Sequence, residues 1–585
     1  MQGSVGERGA TLLDAVVGTA LMLVVFIGIV GAFRLTVMAV SNNKARAGAI
    51  ALSNERLEFV RSLPYNSVGT VGGIPSGSIA QTEIVTLNDV RYTRRTFISY
   101  EDDPADGTAG ADANNIRTDY KAAKVTVSWT VRDGVHTITL VSRLSPPGIE
   151  TSVPGGTLSF NVTDAALLPI SNAQIRIVNA GVTPAVDLTT YTDASGLASV
   201  LGTPPGSGYR ITVTKSGYST AQTYSSSATN TSPIPAHLGV ALDQTTAATF
   251  AIDLLSTKTI ETFTPVTRAT TTESFSGSAG IASSTSITVA GGVARLTTDA
   301  GAYPGTGMFV STSVSTSSLA AWKWFSSVET KPANTDIRYR IYDGSGVTPV
   351  PDSMIPGNSS GLGQPIDLNG VSTSTYTALT VHATLTTSDA SSTPSIDSWS
   401  VALDSGPRPL PNVALTMRGA KTIGSTAGGA LVYKYDNATV ASDASGSVTL
   451  ANIEWDTYTV SLNASTTYAI SSACEPQPQY LAPNSTQVTR IFLSPFTTHS
   501  LLVDVTNASG VTIPNASVHL FRTTPVYTNT ITSDTCGQAF FSGISSGTSG
   551  SGNAYSLDVS AAGYQTFSST QVNVSGTSRL SVILN

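Results

Sequence analysis

With 585 residues the chain exceeds what one hydrophobic core organises, and a prior of about 100 to 200 residues per domain gives four to six domains. Charged residues make up 12%, about half the usual share, and Ser, Thr, Gly and Asn take their place; this excludes the high-charge signature of disorder and fits all-β modules. A net charge of −7 with no basic stripe excludes nucleic acid as a main partner.

The first element is "RGATLLDAVVGTALMLVVF" (Arg8–Phe26). No charged side chain occurs from Ala15 to Phe33, enough helix at about 1.5 Å per residue to cross most of a roughly 30 Å hydrocarbon core. Asp14 stands at its head. An ionised acid deep in such a segment costs on the order of 3 kcal/mol and marks a functional site by default. No Pro occurs before Pro64, and Ala45, Ala49, Leu52, Phe59, Val60 and Leu63 share one helical face that Arg56 interrupts. The spacing predicts one continuous helix of about 50 residues, half in lipid and half packed on a protein domain. A secretory signal fits poorly, because the short leader holds Glu7 beside Arg8 and the nearest A-x-A, Ala45 to Ala47, lies past Arg34 and Lys44. A plain signal anchor leaves Gly9 and Asp14 unexplained.

Gly9 to Asp14 followed by the apolar run resembles the prepilin signal of type IV pilins and pseudopilins, and "ALSNERLEFVRSLPYNSVG" (Ala51–Gly69) resembles the helix end of minor pilins known as type IV pilus modification proteins. The resemblance implies that a prepilin peptidase cuts between Gly9 and Ala10 and methylates the new N-terminus. It also implies that Asp14 is the assembly acid, paired with a neighbouring subunit's N-terminal amine. Ala at the first mature position and Asp in place of Glu depart from the usual pattern and point to a minor subunit.

Next comes a small antiparallel sheet. Glu83–Leu87, Arg91–Tyr100 and "KVTVSWTVRDGVHTITLVSRL" alternate, with Val125, Val127, Trp129 and Val131 on one face, a turn at Asp133-Gly134 and a return through Ile138 and Leu140. Helix plus sheet over residues 10–145, behind a leader at 1–9, is the pilin architecture. Asp102, Asp103, Asp106 and Asp112 cluster on a Gly-rich loop, either a Ca²⁺ site of hard oxygen ligands or a solvated acidic turn. A Pro- and Gly-containing linker, 144–156, follows.

Beyond it a pattern of strand, Asp-x-x-Gly turn, strand and Tyr-led strand recurs from Ser171, Pro411 and Pro514. Such a period suits a β-sandwich. The repeats, at 157–243, 407–493 and 496–585, resemble carboxypeptidase regulatory-like and collagen-adhesin B-type modules of bacterial surface proteins. Between the first two, 245–405 resembles a lectin-like jelly roll. It carries Trp322, Trp324, Tyr339, Tyr342 and Trp399, whose aromatics are either core or, for the Trp residues, platforms for a surface glycan. Cys474 and Cys536, the only cysteines, sit in the last two modules; an exported chain predicts one disulfide between them, the alternatives being two buried thiols or a bond to another chain.

Catalysis finds little support. "GNSSG" (Gly357–Gly361) has Pro356 before it and a Gly-rich turn after it instead of the strand and helix of a nucleophile elbow, and the five histidines are scattered. The expected protein is mainly β and multi-domain: a non-enzymatic minor pilin with a modular head. Its partners are prepilin peptidase, other pilins through the N-terminal helix, membrane lipid before assembly, and glycans or cells at the surface. A pseudopilin of a secretion or DNA-uptake system, and a membrane-anchored surface enzyme, are the alternatives.

Overall fold

The computed structural model describes residues 12–105, 107, 116–131, 134–148, 153–474 and 477–585. The chain is mainly β, in several domains, behind a single long helix, α1, which spans Leu12–Ser62. It stops where expected because Pro64 can neither donate to the helix ladder nor fit beneath the preceding turn. The window of highest hydropathy in α1 averages 2.6 over 18 residues and none of it is buried by protein. From Ala45 onward the helix packs on an antiparallel sheet with the order β1 (Thr82–Leu87), β2 (Val90–Glu101), β3 (Tyr120–Val131) and β4 (Gly134–Leu144). Val125, Val127 and Trp129 of β3 join Ala49, Leu52, Leu57 and Val60 in one core. Each aliphatic side chain buried in this way contributes about 1.5–3 kcal/mol.

The helical stripe differs from the expected one at two positions. Phe59 is exposed, and Arg56, read as an interruption, lies on the buried face. Ala45, Ala49, Leu52, Ser53, Arg56, Leu57 and Val60 repeat at helical spacing, with Phe59 to one side. The Arg56 charge is tolerated there because Glu83 on β1 pairs with it.

Three sandwiches share one plan. In the first, the opening strand Gly156–Thr163 pairs antiparallel with Leu197–Thr203 and parallel with the closing strand Thr245–Ala251. In the second, Ser256–Thr264 pairs antiparallel with Ser447–Ile453 and parallel with Thr486–Pro495. In the third, Ser500–Asn507 pairs antiparallel with Gln538–Ser542 and parallel with Thr577–Leu584. The Asp-x-x-Gly turn is also built identically: Oδ1 of Asp193, Asp443 and Asp534 accepts the N–H groups two and four residues on. The hydroxyls of Tyr209, Tyr458 and Tyr555 each donate to an upstream backbone carbonyl, of Pro204, Glu454 and Ser545 respectively.

Gly196, Gly446 and Gly537 close these turns with φ of +73°, +76° and +72°. A Cβ on Gly196 would meet the Val162 carbonyl oxygen at 2.5 Å. Gly196→Ala is therefore expected to destabilise the first sandwich by more than about 1 kcal/mol, the left-handed penalty plus the clash. Amide exchange of residues 156–251 measures it, and unchanged protection would show that the turn relaxes freely.

Two domain boundaries shift from those expected. Thr245–Ala251 and Ser256–Thr264 do not belong to the aromatic domain; they close the first sandwich and open the second, because their inward residues Phe250 and Ile260 pack in those cores. The aromatic domain is thus inserted between the first and second strands of the second sandwich. It begins at Thr267–Glu273 and ends at Ser395–Ser405, two strands that pair antiparallel with Thr267 opposite Ser405. Two facing antiparallel sheets enclose its core of Phe309, Trp322, Phe325, Tyr339 and Trp399.

The domains are docked against one another. Ile74, from the loop after α1, packs in the core of the first sandwich, and Gln81 bonds both Val71 and Asp187 carbonyls. Residues Ser232–Pro233 of the first sandwich extend a hairpin of the second, Thr422–Ser425 with Leu431–Tyr433.

Candidate functional site

The helix and the sheet beneath it form the first candidate site. Gly9 and Ala10 lie outside the described residues. Asp14 falls in the first turn of α1, and its side chain lies outside them as well. Where α1 leaves its bare apolar stretch, Met38, Ser41 and Ala45 line a groove of about 530 Å³ with Arg91, Trp129 and Val135 of the sheet. About three turns further on, the helix is fixed by charge. Arg56 and Arg94 converge on Glu83, with Arg94 Nη2 at 3.1 Å from Glu83 Oε2 and Arg94 Nη1 at 3.5 Å from Glu55. Sequence reading missed this cluster; Arg56 inside an apolar stripe was its only trace.

Lys121 on β3 is 2% exposed, and its Nζ donates to the carbonyls of Tyr65 and Val68 at 2.8 Å, holding the chain that leaves the helix. Burial lowers its pKa to about 8 from 10.5. Between those values the unfolded chain binds a proton that the folded one does not, so the Lys121 contribution should make this domain more stable as pH rises from about 8 to 10, by up to about 3 kcal/mol, before the Tyr92, Tyr100 and Tyr120 hydroxyls, whose pKa burial raises, oppose it above 10. Amide exchange of residues 120–131 along a pH series, corrected for intrinsic rates, measures it; a flat profile would refute it, and Lys121→Met should abolish the rise.

The acidic loop is only partly described, since Asp106 and Asp112 lie outside the described residues. The Asp103 backbone N–H donates to Asp119, and among the described residues no three His, Cys, Asp or Glu side chains gather closely enough to hold a metal. In the inserted domain, Trp322 and Trp399 are 1% and 2% exposed, and this corrects their reading as ligand platforms: their rings are core, with Trp322 Nε1 donating to the Tyr376 carbonyl. Trp324, on the other face of the strand, is 40% exposed, and the Arg268 guanidinium lies over its ring at 4.9 Å. "GNSSG" forms a structural turn. Asn358 is buried and bonded to Ile341 and Val350, and Ser359 Oγ donates to Asp352 at 2.6 Å.

Cys474 and Cys536 form a disulfide that joins the second and third sandwiches. Beside it the Ala473 N–H donates to Gln538 Oε1 at 2.6 Å, Gln538 donates to Asp504, and Arg579 Nε donates to the same carboxylate at 2.6 Å. In the second sandwich Lys258 is fully buried where its sister modules carry Leu158 and Leu501. Its Nζ donates to Gln479, Gln487 and Thr489.

No protein-family model matches the chain, and no curated protein matches it. Among solved structures it is similar to the Bacillus anthracis TIE protein, at 10% identity over 86% of this chain and 73% of that one, TM-score 0.15. It is also similar to BcpA, the major pilin subunit of Bacillus cereus, at 11% identity over 74% of this chain and 99% of that one, TM-score 0.14. A streptococcal ancillary pilin shows 8% identity over 74% of this chain and 98% of that one, TM-score 0.14. Superpositions of this quality do not establish a common fold.

Proposed function

We propose that this chain is a minor type IV pilin whose modular head makes it a non-enzymatic surface or tip subunit. The observation that carries the reading is α1: one helix of 51 residues with a bare apolar first half and a second half clamped to a four-stranded antiparallel sheet. The first half sits in the cytoplasmic membrane before assembly and against other pilins afterwards. The head, some 430 residues from 157 on, is what the cell offers to other cells or to surface glycans.

Gly9 and Asp14 test the proposal. Gly9→Leu should leave the leader attached, so normal trimming at Ala10 in that variant would sink the prepilin assignment. Asp14→Ala should still be trimmed yet be absent from sheared pili, while Asp14→Glu should enter them. The measurement is the pilus-to-membrane ratio of each variant; wild-type incorporation of Asp14→Ala would show that the acid does not set assembly.

A further inference from the structure

We infer that the inserted domain is a side arm shielded from tension along the chain. Its basis is the nesting of residues 267–405 between two strands that are themselves locked in a sheet. The inference rests on the proposed surface role only in supposing that the helix and the C-terminal module are pulled apart.

Tension from the first sandwich reaches the second at Ser256, and tension from the third reaches it at Cys474, because the Cys474–Cys536 bond bypasses residues 475–535. Ser256–Thr264 and Thr486–Pro495 are parallel neighbours, with Thr257 opposite Thr486 through to Phe263 opposite Phe492. Thr486–Pro495 pairs in turn with Tyr468–Ala473, the strand that leads to Cys474, so load crosses from Ser256–Thr264 through Thr486–Pro495 to that strand without entering the inserted domain. Ser256–Thr264 is held on its other flank as well, by Ser447–Ile453. Beyond Thr264 the chain leaves for the inserted domain, and on its return Arg408–Pro409 pairs with Phe263 and Thr264. The two connections to the domain are therefore zipped to each other at its base, and Thr267 and Ser405 continue the pairing inside it. As long as the parallel pair holds, the ends of the domain cannot separate and no tension crosses its core. The loop closed by the Cys474–Cys536 bond contains Thr486–Pro495 but not the inserted domain, so the bond moves the point where load enters the second sandwich without placing the domain under load.

The test is single-molecule pulling of the full chain in detergent, with handles at the end of α1 and at Asn585. Unfolding the inserted domain frees about 140 residues, a step on the order of 500 Å of extended chain, longer than the second sandwich can release. That long step should always follow the opening of the second sandwich. Its appearance as the first event, with the second sandwich still folded, would overturn the inference. A second geometry guards against an inserted domain that is merely the stronger of the two. Handles on Val266→Cys and Pro407→Cys load it directly, the native cysteines being bonded to each other. The long step should then come first, with the second sandwich intact. If the second sandwich opens first in that geometry too, the order reflects intrinsic strength and the shielding is refuted.

Discussion

Glu83→Ala is expected to free the second half of α1 from its sheet, at a cost of about 3–5 kcal/mol to that domain. Glu83 is the acceptor that Arg56 and Arg94 share, and both guanidinium side chains are less than a tenth exposed. Without it, two cations remain in an interface otherwise made of Ala49, Leu52, Val60 and Val125. Arg94 keeps only Glu55 at 3.5 Å and the Leu52 carbonyl at 3.4 Å. Glu83→Gln should cost less, since it keeps an acceptor while losing the charge. Amide exchange across residues 48–61 measures both variants, and a loss below about 1 kcal/mol for Glu83→Ala would show that water or Glu55 takes over the pairing.

Replacing both Cys474 and Cys536 by Ser is expected to destabilise the third sandwich and its junction by up to about 4 kcal/mol, the loop-closure entropy for residues 62 apart. Cys536 lies inside the Asp-x-x-Gly turn, so the bond ties that turn directly to the strand ending at Ala473. The Gln538–Asp504–Arg579 network should keep the two modules in contact without the bond, so the loss should appear as earlier unfolding and not as a detached module. Thermal unfolding followed by protease cutting between Pro495 and Ser500 reads it; an unchanged midpoint would mean that the junction network alone sets this stability.

The helix was legible because its signals are local: apolar length, absence of Pro and a helical stripe. The sandwich turns were legible because Asp193, Asp443 and Asp534 are followed three residues later by Gly. The domain boundaries were not. Ser256–Thr264 reads as a strand but says nothing of its partner at Thr486–Pro495, more than 200 residues away, because strand pairing across an insertion leaves no local mark. For the same reason Arg56 looked like an interruption, since Glu83 lies beyond the helix on another element. Trp322 and Trp324 are two residues apart, yet one is core and the other partly exposed. A sequence shows alternation, but at the wide register shift between Trp322 and Trp324 it does not show which face is inward.

The position of the inserted domain has a consequence for how such a protein diversifies. Thr267 and Ser405 are cross-strand partners, so the two ends of the domain stand about 5 Å apart. The first and third sandwiches bridge the same gap with short turns, Asp164 to Ala173 and Asn507 to Ala516. A recombination event that exchanges 265–407 for such a turn, or for an unrelated domain with neighbouring ends, meets an unaltered sheet on either side. Lineages can therefore replace this cassette wholesale while the helix, the sheet beneath it and the three sandwiches stay under separate selection.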